Sequence, residues 1–200
     1  MALETPTRPN TALHITGLSH ATLPVRDRFA AARFYCAIFN CDIDHEIALD
    51  RVRPGAGNIE VSINLCDSIQ VGLFEQDFGQ PGLDQGHPHH AFAVRAEDVQ
   101  PWVEHLGYWG VPFFGPRSHG PTNCSIYFND PDGNHLELSC HGYPAELTAQ
   151  LPRGHETAAN GLRGAPALGA WPPPERAEEA EELLQAKLAA MRARGPRPGR

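Results

Sequence analysis

Lysine is almost absent from this chain. Lys187 is the only one in 200 residues, so nearly all of its 16 basic side chains are arginines. Acidic residues outnumber them at 24, giving a formal net charge of −8. That balance argues against an extended phosphate-binding surface, and no nucleic-acid partner is expected. No apolar run approaches the roughly 20 residues of a membrane span. The opening stretch MALETPTRPNTALH has no apolar core of a secretory signal. The five cysteines, Cys36, Cys41, Cys66, Cys124 and Cys140, are odd in number and show no C-x-x-C spacing. Free thiols in a reducing cytoplasm are the simplest expectation. A phosphate loop, a G-x-S-x-G elbow and a paired-cysteine zinc site are all missing.

What is present divides near residue 144. Pro144 to Arg200 holds 8 prolines and 6 glycines among its 57 residues, which is roughly the quarter that marks low complexity. Residues 1–13 read as a flexible N-terminus, 14–143 as the folded domain, and 144–200 as a tail. Within the tail, the Ala-, Glu- and Leu-rich stretch at about 175–194 has acids early and bases late, as a helix dipole favours. Leu183, Leu184, Leu188 and Met191 form a narrow apolar stripe. A solvated helix and a helix docked on the core or a partner both fit that stripe. If the boundary is right, a chain ending near residue 145 retains its fold.

The first 143 residues repeat one order of elements. HITGLSHATLPV has strand character, RDRFAAARFYCAIFN helical spacing, and NIEVSINLC and SIQVGLFEQ alternate as strands. HHAFAV then reads as a strand, AEDVQPWVEHLGYWG as a helix, and VPFFGP, NCSIYFND and HLELSC as strands around a DPDGN turn. The predicted fold class is α+β, with two βαβββ modules at about 14–80 and 86–143.

Three polar side chains interrupt these strands: His20 in LSHATL, His89 in HPHHAFAV and Glu137 in HLELS. Two imidazoles and one carboxylate can occupy one face of a divalent ion and leave positions open for substrate. Eleven histidines allow many other triads. His90 points to the opposite face in a regular strand, and a one-residue slip exchanges it with His89. His87 shares the parity of His89, and His135 that of Glu137.

The stretches ITGLSHATLPVRD…FYCAIF, HHAFAV and SIYFNDPDGNHLEL resemble the vicinal oxygen chelate superfamily, which includes glyoxalase I, fosfomycin-resistance proteins, bleomycin-binding proteins and type I extradiol dioxygenases. The resemblance spans about residues 14–143. It implies that the βαβββ modules pair in a cupped mixed sheet around a metal held by His20, His89 and Glu137. It also implies a homodimer, with modules paired within a chain or across it.

The superfamily shares a metal template, not a reaction. Tyr127, ten residues before Glu137, matches a tyrosine of both the extradiol and the fosfomycin branches. His119, in the Gly/Pro-rich stretch GPRSHGPTNC, matches a segment where ring-cleaving members carry an active-site histidine. Read as a loop, that stretch suits a mobile lid. The main expectation is therefore an Fe(II) extradiol dioxygenase that opens a small aromatic diol with O₂, with His119 and Tyr127 as catalytic groups. One position departs from that branch, because no histidine lies near Phe74. The alternatives are a Mn(II) Lewis-acid enzyme of fosfomycin or glyoxalase type and a metal-free protein that binds aromatic ligands. Thr22 matches a threonine of the thiol-transferring fosfomycin branch, and Gln70 is a conceivable fourth ligand of the glyoxalase type. Phe74, Phe92, Phe113 and Phe114 are candidates for pocket wall or plain core.

Overall fold

The computed structural model describes residues 20–48, 59–75, 89–153 and 168–195. Segment 1–13 and His87 lie outside those residues. The first module runs β1 (His20–Val25), α1 (Arg28–Phe39), β2 (Asp42–Ala48), β3 (Ile59–Cys66) and β4 (Ile69–Glu75). Its sheet has the order β1-β4-β3-β2, with β1 parallel to β4 and the other pairs antiparallel. The second module runs β5 (His90–Ala93), a 3₁₀ turn, α2 (Val99–Tyr108), β6 (Phe113–Gly120), β7 (Asn123–Asn129) and β8 (His135–His141). Its order, β5-β8-β7-β6 with β5 parallel to β8, repeats the first. The α+β architecture of two βαβββ units is therefore present, as two separate four-stranded mixed sheets.

Local chemistry explains the elements. Asp27 caps α1 by accepting from the amides of Phe29 and Ala30 at 2.8 and 2.9 Å, and Asn40 ends the helix at φ 48°. Pro24 is tolerated in β1 because that strand is the edge of its sheet. Strand alternation gives each sheet one apolar face. Leu23, Val25, Val61, Ile63, Val71 and Leu73 are buried in the first sheet, and Ile126, Phe128, Leu136 and Leu138 in the second. These faces join the helices in one core. Phe92 and Phe113 belong to its margin.

The modules are clamped at the 130–134 turn. Arg26 donates to Asp132 at 2.8 Å and to the Pro131 carbonyl at 2.7 Å, and Asn134 Nδ2 donates to the Pro24 carbonyl. Asp130, buried beneath, accepts from Tyr35 Oη, from Asn134 Nδ2 and from the amides of Asp132 and Asn134. Burial outweighs these donors and pushes the Asp130 carboxyl up to about 6. An acid with a raised native pKa binds more protons when folded, so its penalty is absent below its ordinary value and complete above the raised one. Between pH 4 and 6 this group should therefore remove on the order of 3 kcal/mol of stability as pH rises. Urea midpoints measured across that window should fall for the parent and lose this component in Asp130→Asn.

Among the described residues, two α-helices follow the second module, α3 (Ala145–Thr148) and α4 (Ala177–Arg194). α4 is docked rather than solvated. Ala180, Leu184 and Leu188 are buried against α1 and β2. Trp171 packs edge-on to Phe34 with centroids 5.1 Å apart, and its Nε1 donates to the Trp109 carbonyl. Small Ala180 allows the close approach of the helix backbone that its narrow apolar stripe needs.

Candidate metal centre

The second sheet has a polar face opposite its core face. Cross-strand register places Ala91, Glu137, Tyr127 and Phe114 in one row. By strand parity, Ser125, Asn129, His135 and Ser139 share that face. His89 stands one residue ahead of β5 with the same parity, and its Nε2 lies 2.7 Å from Glu137 Oε2. This resolves the choice between adjacent histidines, because His90 pairs with Leu136 on the other parity. His89 is about a quarter exposed and Glu137 is nearly buried. Two of the three expected ligands thus meet directly.

The neighbours form a compact aromatic cluster. The Tyr127 ring stacks on His135 with an interplanar angle of 6°, and Tyr127 Oη lies 3.2 Å from His119 Nε2. His135 Nδ1 is 3.0 Å from Asn129 Oδ1. Burial first, then the Glu137 charge, pushes the Tyr127 phenol up to about 12. The hydroxyl therefore remains protonated and available as a donor at neutral pH. His119 is not on a loop. It lies within β6, whose pairing with β7 continues through two register shifts as far as Gly120. The Gly/Pro pattern marks those irregularities rather than a lid. A cavity of about 580 Å³ opens beside His119 between β6 and α3, and its walls include Ser118, Thr148, Leu151 and Arg153. Those walls include neither His89 nor Glu137.

His20 lies elsewhere, on the first sheet. Among the described residues, no three His, Cys, Asp or Glu groups come together to hold an ion. His20 pairs in register with Gln70, which pairs with Asn64. Gln70 Nε2 and Asn64 Nδ2 both donate to the Asp44 carboxylate, at 3.0 and 3.3 Å. Two rungs along, Glu60 is buried with Ser62 Oγ donating to it at 2.6 Å. Gly72 makes room for that carboxylate, since a Cβ there would collide with Glu60 Oε1. The first sheet thus carries its own polar face: His20, Thr22, Gln70, Asn64, Ser62 and Glu60. Sequence reading missed Asp44 and Glu60. The signal for Glu60 was present in NIEVSINLC, where polar Glu60, Ser62 and Asn64 alternate with apolar Val61 and Ile63.

The donor set suits a divalent ion. The imidazole and carboxylate atoms that would ligate it already face each other, and both side chains lie on a recessed polar face. His20, the third residue expected there, lies on the other sheet.

Residues 17–138 match the family model described as Glyoxalase/Bleomycin resistance protein/Dioxygenase superfamily. The chain is 35% identical to "Glutathione transferase FosA" of Serratia marcescens over 137 residues, covering 68% of this chain and 88% of that protein. It is 30% identical over 149 residues to "Fosfomycin resistance protein FosX" of Listeria monocytogenes, covering 71% and 99%. A crystal structure of that Listeria protein superposes with a TM-score of 0.54 at 27% identity, covering 68% of this chain and 99% of the other. A mutant of it, complexed with Mn(II) and 1S,2S-dihydroxypropylphosphonic acid, gives 0.51 at 26% identity, covering 68% and 98%.

These relatives correct the main expectation. They are named as a glutathione transferase and a fosfomycin resistance protein, so the reading as an extradiol dioxygenase falls, and Fe(II), O₂ and an aromatic diol substrate are left without support. The missing histidine near Phe74 is the residue-level counterpart: Phe74 lies beside Gly72 and Glu60 on the polar face of the first sheet. No described helix is long and apolar enough to cross a membrane.

Proposed function

The chain belongs to the glyoxalase/bleomycin resistance/dioxygenase superfamily, and from that premise we propose a metal-dependent enzyme of the fosfomycin type, which opens an epoxide-bearing phosphonate without O₂. The observation that carries this reading is the His89–Glu137 contact at 2.7 Å on a polar face that also presents Tyr127 and His119. In the proposed site, His89 and Glu137 of one protomer and the partner's His20 hold Mn(II) in a homodimer. The partition of the triad between two sheets supports that sharing.

Held by these three residues, a divalent ion would supply Lewis-acid polarisation of the epoxide C–O bond. The chain's own residues do the rest. Tyr127, kept protonated by burial, donates a hydrogen bond to a substrate oxygen, and His119 orients that hydroxyl from 3.2 Å. Glu60, buried on the same sheet face as His20 and so contributed by the same protomer, favours water as nucleophile. Its carboxylate takes a proton from water as the new C–O bond forms and the epoxide C–O bond breaks, and the freed oxygen takes a proton from solvent to give a vicinal diol. Gly72 and Ser62 fix that carboxylate's position.

The test is ³¹P NMR of fosfomycin with Mn(II)-loaded protein, first in buffer and then with glutathione or another low-molecular-weight thiol. The expected result is a diol resonance without thiol, lost in Glu137→Gln and reduced about 100-fold or more in Glu60→Gln. A thiol adduct alone would transfer the reaction to the sulfur nucleophile. No turnover under either condition would sink the reading.

A further inference from the structure

The family match ends at residue 138, whereas α4 begins at Ala177, so α4 lies beyond the matched segment. Its last turn nevertheless reaches the polar face that bears His20. Arg194 Nη2 donates to the Ile43 carbonyl at 2.8 Å and lies 4.0 Å from Asp44 Oδ1. Lys187 and Arg192 add contacts to Asp42 and Glu46 on the same strand, at 2.9 and 3.9 Å. The β2–β3 register slips at this point, between Ile43 and His45, which makes Asp44 the extra residue of a bulge. The bulge aims the Asp44 carboxylate, only 9% exposed, at Gln70 and Asn64, while His45 Nδ1 lies 2.9 Å from the same Oδ2 that accepts from Gln70. Gln70 is the register neighbour of His20.

We propose that α4 is a positioning element of the metal centre: Arg194 fixes the Asp44 bulge, and Asp44 holds the Gln70 and Asn64 amides that set the ground beside His20. This rests on His20 being a metal ligand. The chemistry is that of an outer layer of hydrogen bonds. A ligating imidazole keeps its orientation only if the groups around it are themselves fixed, and loss of such support costs metal affinity. A buried carboxylate that accepts from two amides needs a cation or further donors nearby, and Arg194 supplies both charge and a tether to the strand. Arg194 is a third exposed and lies in the final helical turn, so its removal should cost little global stability.

The experiment measures Mn(II) affinity and thermal midpoint on the full chain for Arg194→Ala, Arg194→Lys, Asp44→Asn and the Arg194→Ala/Asp44→Asn pair, with His20→Ala as reference. Arg194→Ala and Asp44→Asn should each weaken Mn(II) binding about tenfold. The double variant should be no weaker than the worse single, because both act along one path. Arg194→Lys should recover most of the loss. If His20→Ala loses Mn(II) while Arg194→Ala binds it like the parent, the positioning role is overturned and the metal reading stands. If His20→Ala also binds like the parent, the metal reading falls and takes the positioning role with it. A loss of affinity that follows a matching fall in thermal midpoint, with additive singles, would make α4 a support of the fold only and would likewise overturn the proposal.

Discussion

A chain ending at residue 145 should fail to reach the native state. Its far-ultraviolet spectrum should lose cooperative thermal unfolding, and the protein should aggregate at concentrations where the parent is soluble. Leu184 and Leu188 are 1% and 3% exposed, and Ala180 is fully buried. Each buried leucine reduced to alanine costs about 2–5 kcal/mol. Trp171 adds an aromatic contact with Phe34 and one with Trp109, together with its indole hydrogen bond. Ordinary domains retain only about 5–15 kcal/mol in all, so losing the whole segment exceeds what the two modules can spare. The truncation would also expose Phe34 and apolar atoms of α1. A milder pair separates packing from chain length: Leu184→Ala and Leu188→Ala in the full chain should each lower the urea midpoint by the equivalent of about 2–5 kcal/mol. A truncated chain that unfolds cooperatively with the parent's midpoint would show that α4 only rests on the surface.

That result bears on what the sequence made legible. The βαβββ repeat was readable because strand alternation and helix spacing are strong local signals. The docking of α4 was not, because a narrow stripe of Leu184 and Leu188 fits water on three sides as well as it fits a neighbour. The deciding contacts come from α1 and β2, about 150 positions earlier in the chain. The same holds at the candidate metal centre. His89 and Glu137 were legible as polar interruptions of apolar strands, and parity placed them on one face. Asp44 was hidden by the bulge that turns it inward. His119 was read as part of a loop because Gly115, Pro116 and Gly120 look like turn residues, yet they lie at the irregularities of a strand that remains paired. The reaction itself was not legible. His20, His89, Glu137 and Tyr127 occur in more than one branch of the superfamily, and residues outside that set decide between ring cleavage and epoxide opening. The departure near Phe74 was the one local sign, and the buried Glu60 is its structural complement.

Mixed dimers of His20→Ala and Glu137→Ala protomers should regain a metal site that neither parent variant has. Within one chain the three proposed ligands do not converge: His20 lies on the edge strand of the first sheet, while His89 and Glu137 meet on the second. If one protomer supplies His20 and the other supplies the pair, a mixed dimer combines both defects in one site and leaves the second intact. Heterodimers isolated with two affinity tags should therefore bind about one Mn(II) per dimer and turn over at about half the parent rate, while each homodimer of a variant stays empty and inactive. A triad closed within each chain gives the opposite result, because both sites of the mixed dimer would then carry a defect. The stoichiometry of bound Mn(II) reads this without knowledge of the substrate, and light scattering on the same samples checks that the chains are paired. A parent that is monomeric yet binds one Mn(II) tightly per chain would refute the shared site. Restoration in the mixed dimer would explain why both sheets present a polar face. Each face supplies part of a centre that only two chains complete.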